Sequence, residues 1–283
     1  EEASLNRATI YNYALKSKRV NMDLLIRYNT TLWKYHDLGL LAGYSGSLYD
    51  SDSFDATKEG MSSWYLIYMN SATKMNSING SATNWRMQSY FGRLNYAYRG
   101  KYLFEANVRY DGSSRFSPDS RWGAFPSFSL GWRASEEAFM QWAKPALSSL
   151  KFRGSWGTIG DQTVSNKLYV STMGTGQSAW IGGDGSKVGY VGTPSAIIPS
   201  ITWQDITTLD IGMDARFFNG ELGVTFDWYQ RDTKNMIVPI GNVSLAFGAD
   251  SPKGNFGSLR TRGWEIALDY NHRFKNGLGI NAM

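Results

Sequence analysis

The chain has 283 residues, of which 42% are hydrophobic and 15% aromatic, and it carries a formal net charge of +5. No run of eighteen apolar residues occurs, which excludes a transmembrane helix, and the absence of cysteine excludes disulfides, thiol catalysis and cysteine-ligated zinc. The positive charge is spread along the chain rather than clustered, so nucleic acid is not expected as a partner.

Polar and apolar residues alternate over most of the chain, and this period of two is typical of antiparallel β-strands. The alternation predicts about ten strands. They lie at 20–30, 37–45, 86–98, 102–111, 123–133, 150–157, 205–217, 221–231, 260–274 and from 278 to the end. Short and longer connections alternate between these strands, with 134–149 as the exception. Outer-membrane β-barrels show this arrangement, with tight periplasmic turns and long extracellular loops, whereas a soluble β-protein does not require it.

The first hairpin with a clear register turns at Arg99-Gly100-Lys101, between two alternating runs. A three-residue loop with glycine in the left-handed conformation would pair Tyr96 with Phe104 and leave the charged residues on the opposite face. The exceptional connection 134–149 begins Ser135-Glu136-Glu137, which favours a helix N-cap followed by an acidic first turn. Because it falls on the side of the short turns, it predicts a small periplasmic helix.

A second hairpin turns at Asn219-Gly220, a dipeptide that favours a type I′ turn because both central residues need a positive φ. That turn would pair Phe217 with Leu222 and Ile211 with Trp228, so that all four lie on one face. A third short turn is expected at Lys275-Asn276-Gly277.

The hairpins place apolar residues on one face of the sheet and charged residues on the other. The charged face carries Asp210, Asp214, Arg216, Asp227, Glu265, Asp269 and Arg273. Such charge is too costly for a dry core unless every group is paired, but a water-filled or plugged lumen accommodates it. The sequence therefore predicts an all-β fold, an antiparallel transmembrane β-barrel with lipid outside and a polar lumen inside. Aromatic residues near the strand ends are expected to form girdles at the membrane interfaces.

Several stretches resemble SusC/RagA-type TonB-linked outer-membrane transporters. The most recognisable is Asn95-Tyr96-Ala97-Tyr98-Arg99-Gly100-Lys101-Tyr102, which continues to Phe116. Further similar stretches follow in the family's order at 121–133, 150–157, 217–237, 255–257 and 262–266. The resemblance implies a barrel of about twenty-two strands with a plug inside, which opens with energy from the TonB complex. It also implies a SusD-like surface lipoprotein that acts as a hinged lid.

About ten strands cannot close a barrel of that size. We therefore expect residues 1–283 to be part of one β-barrel domain, from the C-terminal half of a longer transporter. The plug domain and the TonB box are expected to be absent from this chain. A complete small barrel of about ten strands is the alternative interpretation.

The function expected from the resemblance is TonB-dependent import of nutrient oligomers across the outer membrane, with oligosaccharides as the first choice of substrate. Oligopeptides are the alternative substrate. A passive porin or adhesin, or a soluble carbohydrate-binding β-protein, would be a different class of protein. No catalytic residue, metal or cofactor is expected, because His36 and His272 lack any spacing typical of metal ligands.

Four aromatic residues in the long connections are candidates for substrate binding: Trp180, Tyr190 and Trp203 in 158–204, and Trp64 in 46–85. Exposed rings would stack on sugar rings, while polar neighbours would bind hydroxyl groups. Asp184, Asn76 and Asn84 are such neighbours. The alternative is that these aromatic residues pack the loops together or against the lid protein.

Overall fold

The computed structural model describes residues 8–183, 185–241, 243–274 and 277–282. Its strands are β1 (Thr9–Leu32), β2 (His36–Met61), β3 (Ala72–Tyr98), β4 (Tyr102–Ser113), β5 (Trp122–Arg133), β6 (Leu147–Asp161), β7 (Met173–Ile181), β8 (Lys187–Pro194), β9 (Gln204–Phe217), β10 (Leu222–Pro239), β11 (Lys253–Arg273) and β12 (Gly279–Ala282). Short 3₁₀ segments lie at Met69–Ser71, Pro118–Ser120, Ala134–Glu136, Ala138–Ala143, Phe218–Gly220 and Leu245–Phe247. In these ranges no helix is long and apolar enough to cross a bilayer.

Ten strands hydrogen-bond into one sheet in the order β1-β2-β3-β4-β5-β6-β9-β10-β11-β12. The two remaining strands, β7 and β8, form a separate antiparallel hairpin. Because β6 pairs directly with β9, this hairpin is an insertion that leaves the order of the sheet unchanged. The predicted all-β antiparallel fold is confirmed.

The chain divides into two compact units, of which the first comprises Glu1–Met22 and Gly46–Met87 and the second comprises Asp23–Ser45 and Gln88–Met283. In the first unit, the guanidinium group of Arg19 lies 5.8 Å from the centre of the Tyr49 ring and 5.4 Å from that of Trp85. Arg86 forms an ion pair with Asp50 at 2.9 Å. The second unit contains the features described below.

The turn at Asn219-Gly220 has the predicted geometry. Both residues have a positive φ, of 56° and 92°, and the Glu221 N–H donates to the Phe218 carbonyl at 3.2 Å. The register is also confirmed, because Phe217 pairs with Leu222 and Ile211 with Trp228. Of the third predicted turn, Lys275 and Asn276 lie outside the described residues.

The turn at Arg99-Gly100-Lys101 has the predicted length of three residues, because β3 ends at Tyr98 and β4 begins at Tyr102. The Lys101 N–H donates to the Tyr98 carbonyl at 3.0 Å. Arg99 shares the left-handed conformation with Gly100, at φ values of 51° and 64°. The guanidinium group of Arg99 lies over the rings of Tyr35 and Tyr98, at 4.7 and 5.3 Å from their centres. These contacts favour a conformation that is otherwise unusual for arginine.

The predicted helix in 134–149 forms two 3₁₀ segments instead of one capped helix. Ser135 is buried within the first segment and makes no cap, and Glu137 between the segments has an extended backbone, at φ −79° and ψ 149°. The Glu137 carboxylate accepts hydrogen bonds from Lys101 Nζ at 3.2 Å and from Trp132 Nε1 at 3.4 Å. These contacts with neighbouring strands interrupt the helix that the local sequence favours.

Two faces of the sheet differ in chemistry. The apolar face carries one continuous row of residues across five strands. Each residue of the row pairs with the next across neighbouring strands, in the order Trp132, Phe152, Met213, Phe226 and Ile266. The polar face carries the residues between them, including Arg153, Asp210, Asp214 and Asp227. We call the end of the sheet at the Arg99-Gly100 and Asn219-Gly220 turns the turn end, and the opposite end, from which the β7–β8 hairpin extends, the loop end.

Candidate functional site

The charged centre of the polar face is a cluster around Arg153 on β6. Its guanidinium group donates to Asp227 at 2.6 Å, to Asp214 at 3.3 Å and to Asp210 at 3.4 Å. We call these four residues the Arg153 cluster. It sets one positive charge against three negative charges on β9 and β10, so the surface there is acidic overall.

Glycine makes this arrangement possible. In the sheet, Arg153 pairs with Gly212, and Gly212 pairs in turn with Asp227. Neighbouring strands lie about 4.8 Å apart, so the long arginine side chain reaches Asp227 by crossing Gly212. A Cβ atom on Gly212 would lie 2.7 Å from the Arg153 Cζ atom and still closer to the Asp227 carboxylate. The glycine therefore provides the space through which the ion pair forms.

Two more polar side chains lie across a glycine of the neighbouring strand on the polar face. A Cβ atom on Gly263 would lie 2.6 Å from the hydroxyl oxygen of Tyr229, and one on Gly223 would collide with the Asp269 carboxylate. Tyr229 pairs with Gly263, and Gly223 pairs with Asp269, across β10 and β11. Large polar side chains thus lie flat across glycines on the adjacent strand. The result is a low, polar wall that leaves the space above it open.

A cavity of about 760 Å³ opens beside the Arg153 cluster within the second unit, and Arg153 and Asp210 form part of its lining. Its lining mixes apolar residues with polar ones, which include Asn95, Glu105, Ser129, Arg153 and Asp210. The cavity is large enough for ordered water or for a segment of polypeptide. A hydrated lumen, as predicted, accounts for charged groups at this position.

Two of the sequence candidates lie on the β7–β8 hairpin at the loop end. The side chain of Trp180 on β7 is 81% exposed and that of Tyr190 on β8 is 53% exposed. Tyr190 pairs with Gly176, and its ring lies across that glycine, where a Cβ atom would come within 2.9 Å. Both residues present ring surface to solvent, as the prediction of stacking platforms requires.

Trp64 lies in the first unit, in the segment between β2 and the 3₁₀ segment Met69–Ser71, and is 55% exposed. The neighbouring rings of Tyr65 and Tyr68 are exposed as well. Of the polar neighbours, Asn76 donates to the Glu59 carboxylate at 3.0 Å, so its amide is already engaged within this unit. Asp184 lies outside the described residues.

Trp203 is placed differently from the other three candidates, because it is only 3% exposed. Its ring lies between those of Phe116 and Phe125, at centroid distances of 5.1 and 5.4 Å, and its Nε1–H donates to the Arg121 carbonyl at 2.9 Å. The indole therefore has no free face. It holds the base of the loop end together, which is the alternative that the sequence left open.

A second cavity, of about 580 Å³, was not foreseen from the sequence. It lies between the base of the β7–β8 hairpin and the connection 243–250, and hydroxyl groups and one carboxylate line it, from Thr172, Thr193, Ser195, Ser244 and Asp250. These residues come from two segments that are about fifty positions apart in sequence, and no local pattern marks them. In the described part of the chain, no group of three or more His, Asp or Glu side chains could hold a metal ion.

Comparison with known proteins gives consistent matches. A family model described as "TonB dependent receptor-like, beta-barrel" matches residues 3–282. "TonB-dependent receptor P26" of Formosa agariphila is 29% identical over 260 residues, which cover 90% of this chain and 26% of that protein. "TonB-dependent receptor SusC" of Bacteroides thetaiotaomicron is 36% identical over 205 residues, which cover 69% of this chain and 20% of that protein. This chain thus spans a fifth to a quarter of these relatives.

Among solved structures, one described as the RagAB peptide transporter superimposes with a TM-score of 0.84. The alignment covers 94% of this chain and 29% of that one, at 22% identity, so the likeness concerns the fold. The predicted resemblance to SusC/RagA-type proteins and the predicted outer-membrane location are confirmed by these matches.

Proposed function

Because the chain belongs to the family of TonB-dependent receptor-like β-barrels, we propose that it forms part of the barrel of a SusC/RagA-type outer-membrane transporter. The polar wall is the observation that carries this proposal. Its Arg153 side chain lies across Gly212 and also lines an open cavity, and the opposite face of the same strands is apolar. A wall of this kind suits a lumen that must hold a plug at rest and pass a polar solute when the plug moves.

We propose further that residues 1–283 form one part of that barrel domain, with the plug and the TonB-contacting segment elsewhere in the polypeptide. Support comes from the share of the relatives that the chain spans, which is 20–26% for the two described above. Energy from the TonB complex would then reach the plug, and the strands described here would serve as the rigid wall.

For the substrate, we propose a nutrient oligosaccharide. The exposed rings of Trp180 and Tyr190 offer stacking surfaces, and the hydroxyl-lined cavity at the base of the same hairpin offers hydrogen-bonding groups. An oligopeptide is the alternative, favoured by the fold shared with the RagAB peptide transporter. Apolar residues of the hairpin that remain exposed to water, such as Ile181 and Val191, support a SusD-like lipoprotein as a lid that covers them.

The test is the affinity of the full-length transporter, purified in detergent with any lid protein, for panels of oligosaccharides and oligopeptides. The double substitution Trp180→Ala and Tyr190→Ala is expected to weaken oligosaccharide binding by about tenfold or more, because two stacking surfaces are lost. Trp142→Ala is the matched control, since it removes an equally exposed indole at the turn end. If the transporter binds peptides selectively, the proposed substrate class is wrong and oligopeptides take its place. If the double variant binds oligosaccharides as tightly as the unmodified protein, Trp180 and Tyr190 are not part of the site.

A further inference from the structure

The segment Ala138–Ala143 at the turn end exposes apolar side chains outside the strands. Its sequence, Ala-Phe-Met-Gln-Trp-Ala, carries no charge, and it forms a 3₁₀ turn between β5 and β6. Phe139 is 61% exposed and Trp142 is 81% exposed. Exposure of both rings to water would cost free energy, so we expect an apolar environment to cover Phe139 and Trp142.

Contacts of Glu137 show on which side of the sheet the segment lies. The Glu137 carboxylate accepts hydrogen bonds from Trp132 Nε1 and from the Tyr102 hydroxyl. Tyr102 pairs with Trp132, and Trp132 pairs with Phe152, all within the row of the apolar face. The segment is therefore fixed to the outer, apolar side of the sheet and not to the polar wall.

Ring contacts extend the apolar face onto the segment. Phe152 and Trp132 stack at a centroid distance of 5.9 Å, and the Phe139 ring follows at 6.5 Å from Trp132. The lipid-facing row thus continues past the end of the strands through Phe139. Trp142 lies three residues further on, and the exposed Lys144 follows two residues after it.

We propose that residues 138–143 lie in the headgroup region of the periplasmic leaflet of the outer membrane and anchor the barrel there. Short turns of outer-membrane barrels face the periplasm, and the leaflet adjoining this end consists of phospholipid. Phe139 and Trp142 would reach the boundary with the acyl chains, where amphipathic rings are favoured. Lys144 would meet the lipid phosphates. Continuity with the lipid-facing row favours lipid over a soluble protein as the occupant.

The absence of cysteine from the chain allows a direct test by site-specific labelling. In the full-length transporter, with any cysteine elsewhere replaced by serine, Trp142→Cys is labelled with an environment-sensitive fluorophore. The protein is reconstituted into phosphatidylethanolamine–phosphatidylglycerol vesicles that contain lipids brominated close to the headgroup. Glu136→Cys, an exposed position just before the segment, is the control. Heat-modifiable mobility on gels establishes that each variant is folded, and Phe139→Cys replaces Trp142→Cys if the latter does not fold.

Brominated lipid is expected to quench the label at position 142 at least about twofold more than the label at 136, and aqueous iodide is expected to do the reverse. Full access of iodide to position 142, with no quenching by brominated lipid, would overturn the proposal. So would protection from iodide that appears only after a soluble periplasmic extract is added, since a protein would then be the occupant.

Discussion

Gly212 shows how one residue controls the chemistry of the polar face. It lies between Arg153 and Asp227 in the register of three strands, and the ion pair crosses the space where a side chain would be. A glycine in a strand normally weakens it through backbone entropy and lost contacts. Here that cost is offset by a charge pairing that no larger residue would permit.

Replacement of Gly212 by alanine is therefore expected to destabilise the protein by about 1–3 kcal/mol, because the new methyl group displaces Arg153 and leaves carboxylates unpaired. The measurement is urea-induced unfolding of the reconstituted full-length protein. Gly154→Ala is the matched control, since a Cβ atom there would meet only the Asp210 carbonyl oxygen at 3.9 Å. Equal losses in the two variants would contradict the role given to the glycine.

Trp203 marks a limit of sequence reasoning at this scale. An aromatic residue in a long connection has the same local sequence whether solvent or other rings surround it. The partners that bury Trp203, Phe116 and Phe125, lie about eighty residues away in the chain. Trp180 and Tyr190 came from the same pattern and are exposed. The sequence pattern thus selected aromatic residues of the long connections, but packing between distant parts of the chain determined which of their rings are exposed to solvent.

Among the elements, the 3₁₀ segments at 134–143 depend on one carboxylate. Hydrogen bonds from Tyr102, Lys101 and Trp132 lower the pKa of Glu137 below its ordinary value of 4.5, although partial desolvation opposes them. Since the folded protein favours the charged form, this stabilisation is present above pH 4.5 and is lost as the pH falls through the lowered pKa.

Glu137→Gln is expected to lower the thermal unfolding temperature at pH 7. The difference in unfolding temperature between the variant and the unmodified protein is expected to shrink as the pH approaches 3. Thermal unfolding followed by circular dichroism between pH 7 and pH 3 measures both. Glu136→Gln, which alters an exposed neighbour, should leave the curve unchanged. If the deficit of Glu137→Gln stays constant over the whole range, the carboxylate does not act through its charge.

Strands were predictable from the sequence where one face meets lipid and the other meets water. The hairpin at Asn219-Gly220 is correct in turn and register because its alternation and its turn residues agree. The extensions of β1 back to Thr9, of β2 on to Met61 and of β3 back to Ala72 were missed, as was the β7–β8 hairpin. Outside the bilayer both faces of a strand meet water, so the period of two fades. In β7 the apolar Trp180 and Ile181 are even adjacent.

For the whole molecule, the contrast between the two faces of the sheet predicts that a charged residue destabilises the protein on the apolar face but not at a neighbouring position on the polar face. Leu268 is exposed on the apolar face, where it pairs with Val224, and Ala267 lies next to it on the polar face, where it pairs with Thr225. Leu268→Arg is expected to be destabilising by about 2 kcal/mol, because a charge on the lipid-facing side costs about 2–4 kcal/mol at the midplane and less toward the interfaces. Ala267→Arg is expected to be nearly neutral, because water and carboxylates surround it. Unfolding of the full-length protein from vesicles compares the two, and equal costs would argue against lipid on the apolar face.

The direct pairing of β6 with β9 has a consequence for how such proteins diversify. The β7–β8 hairpin is closed at its base where the Ser195 N–H donates to the Thr172 carbonyl at 2.8 Å, and neither of its strands pairs with the ten-stranded sheet. Genetic exchange of these twenty-odd residues would transfer the proposed recognition surface, while the strand pairing of the ten-stranded sheet would stay unchanged. Ligand preference and barrel architecture are then inherited separately, and the same junction offers an insertion site for displaying a foreign peptide at the cell surface.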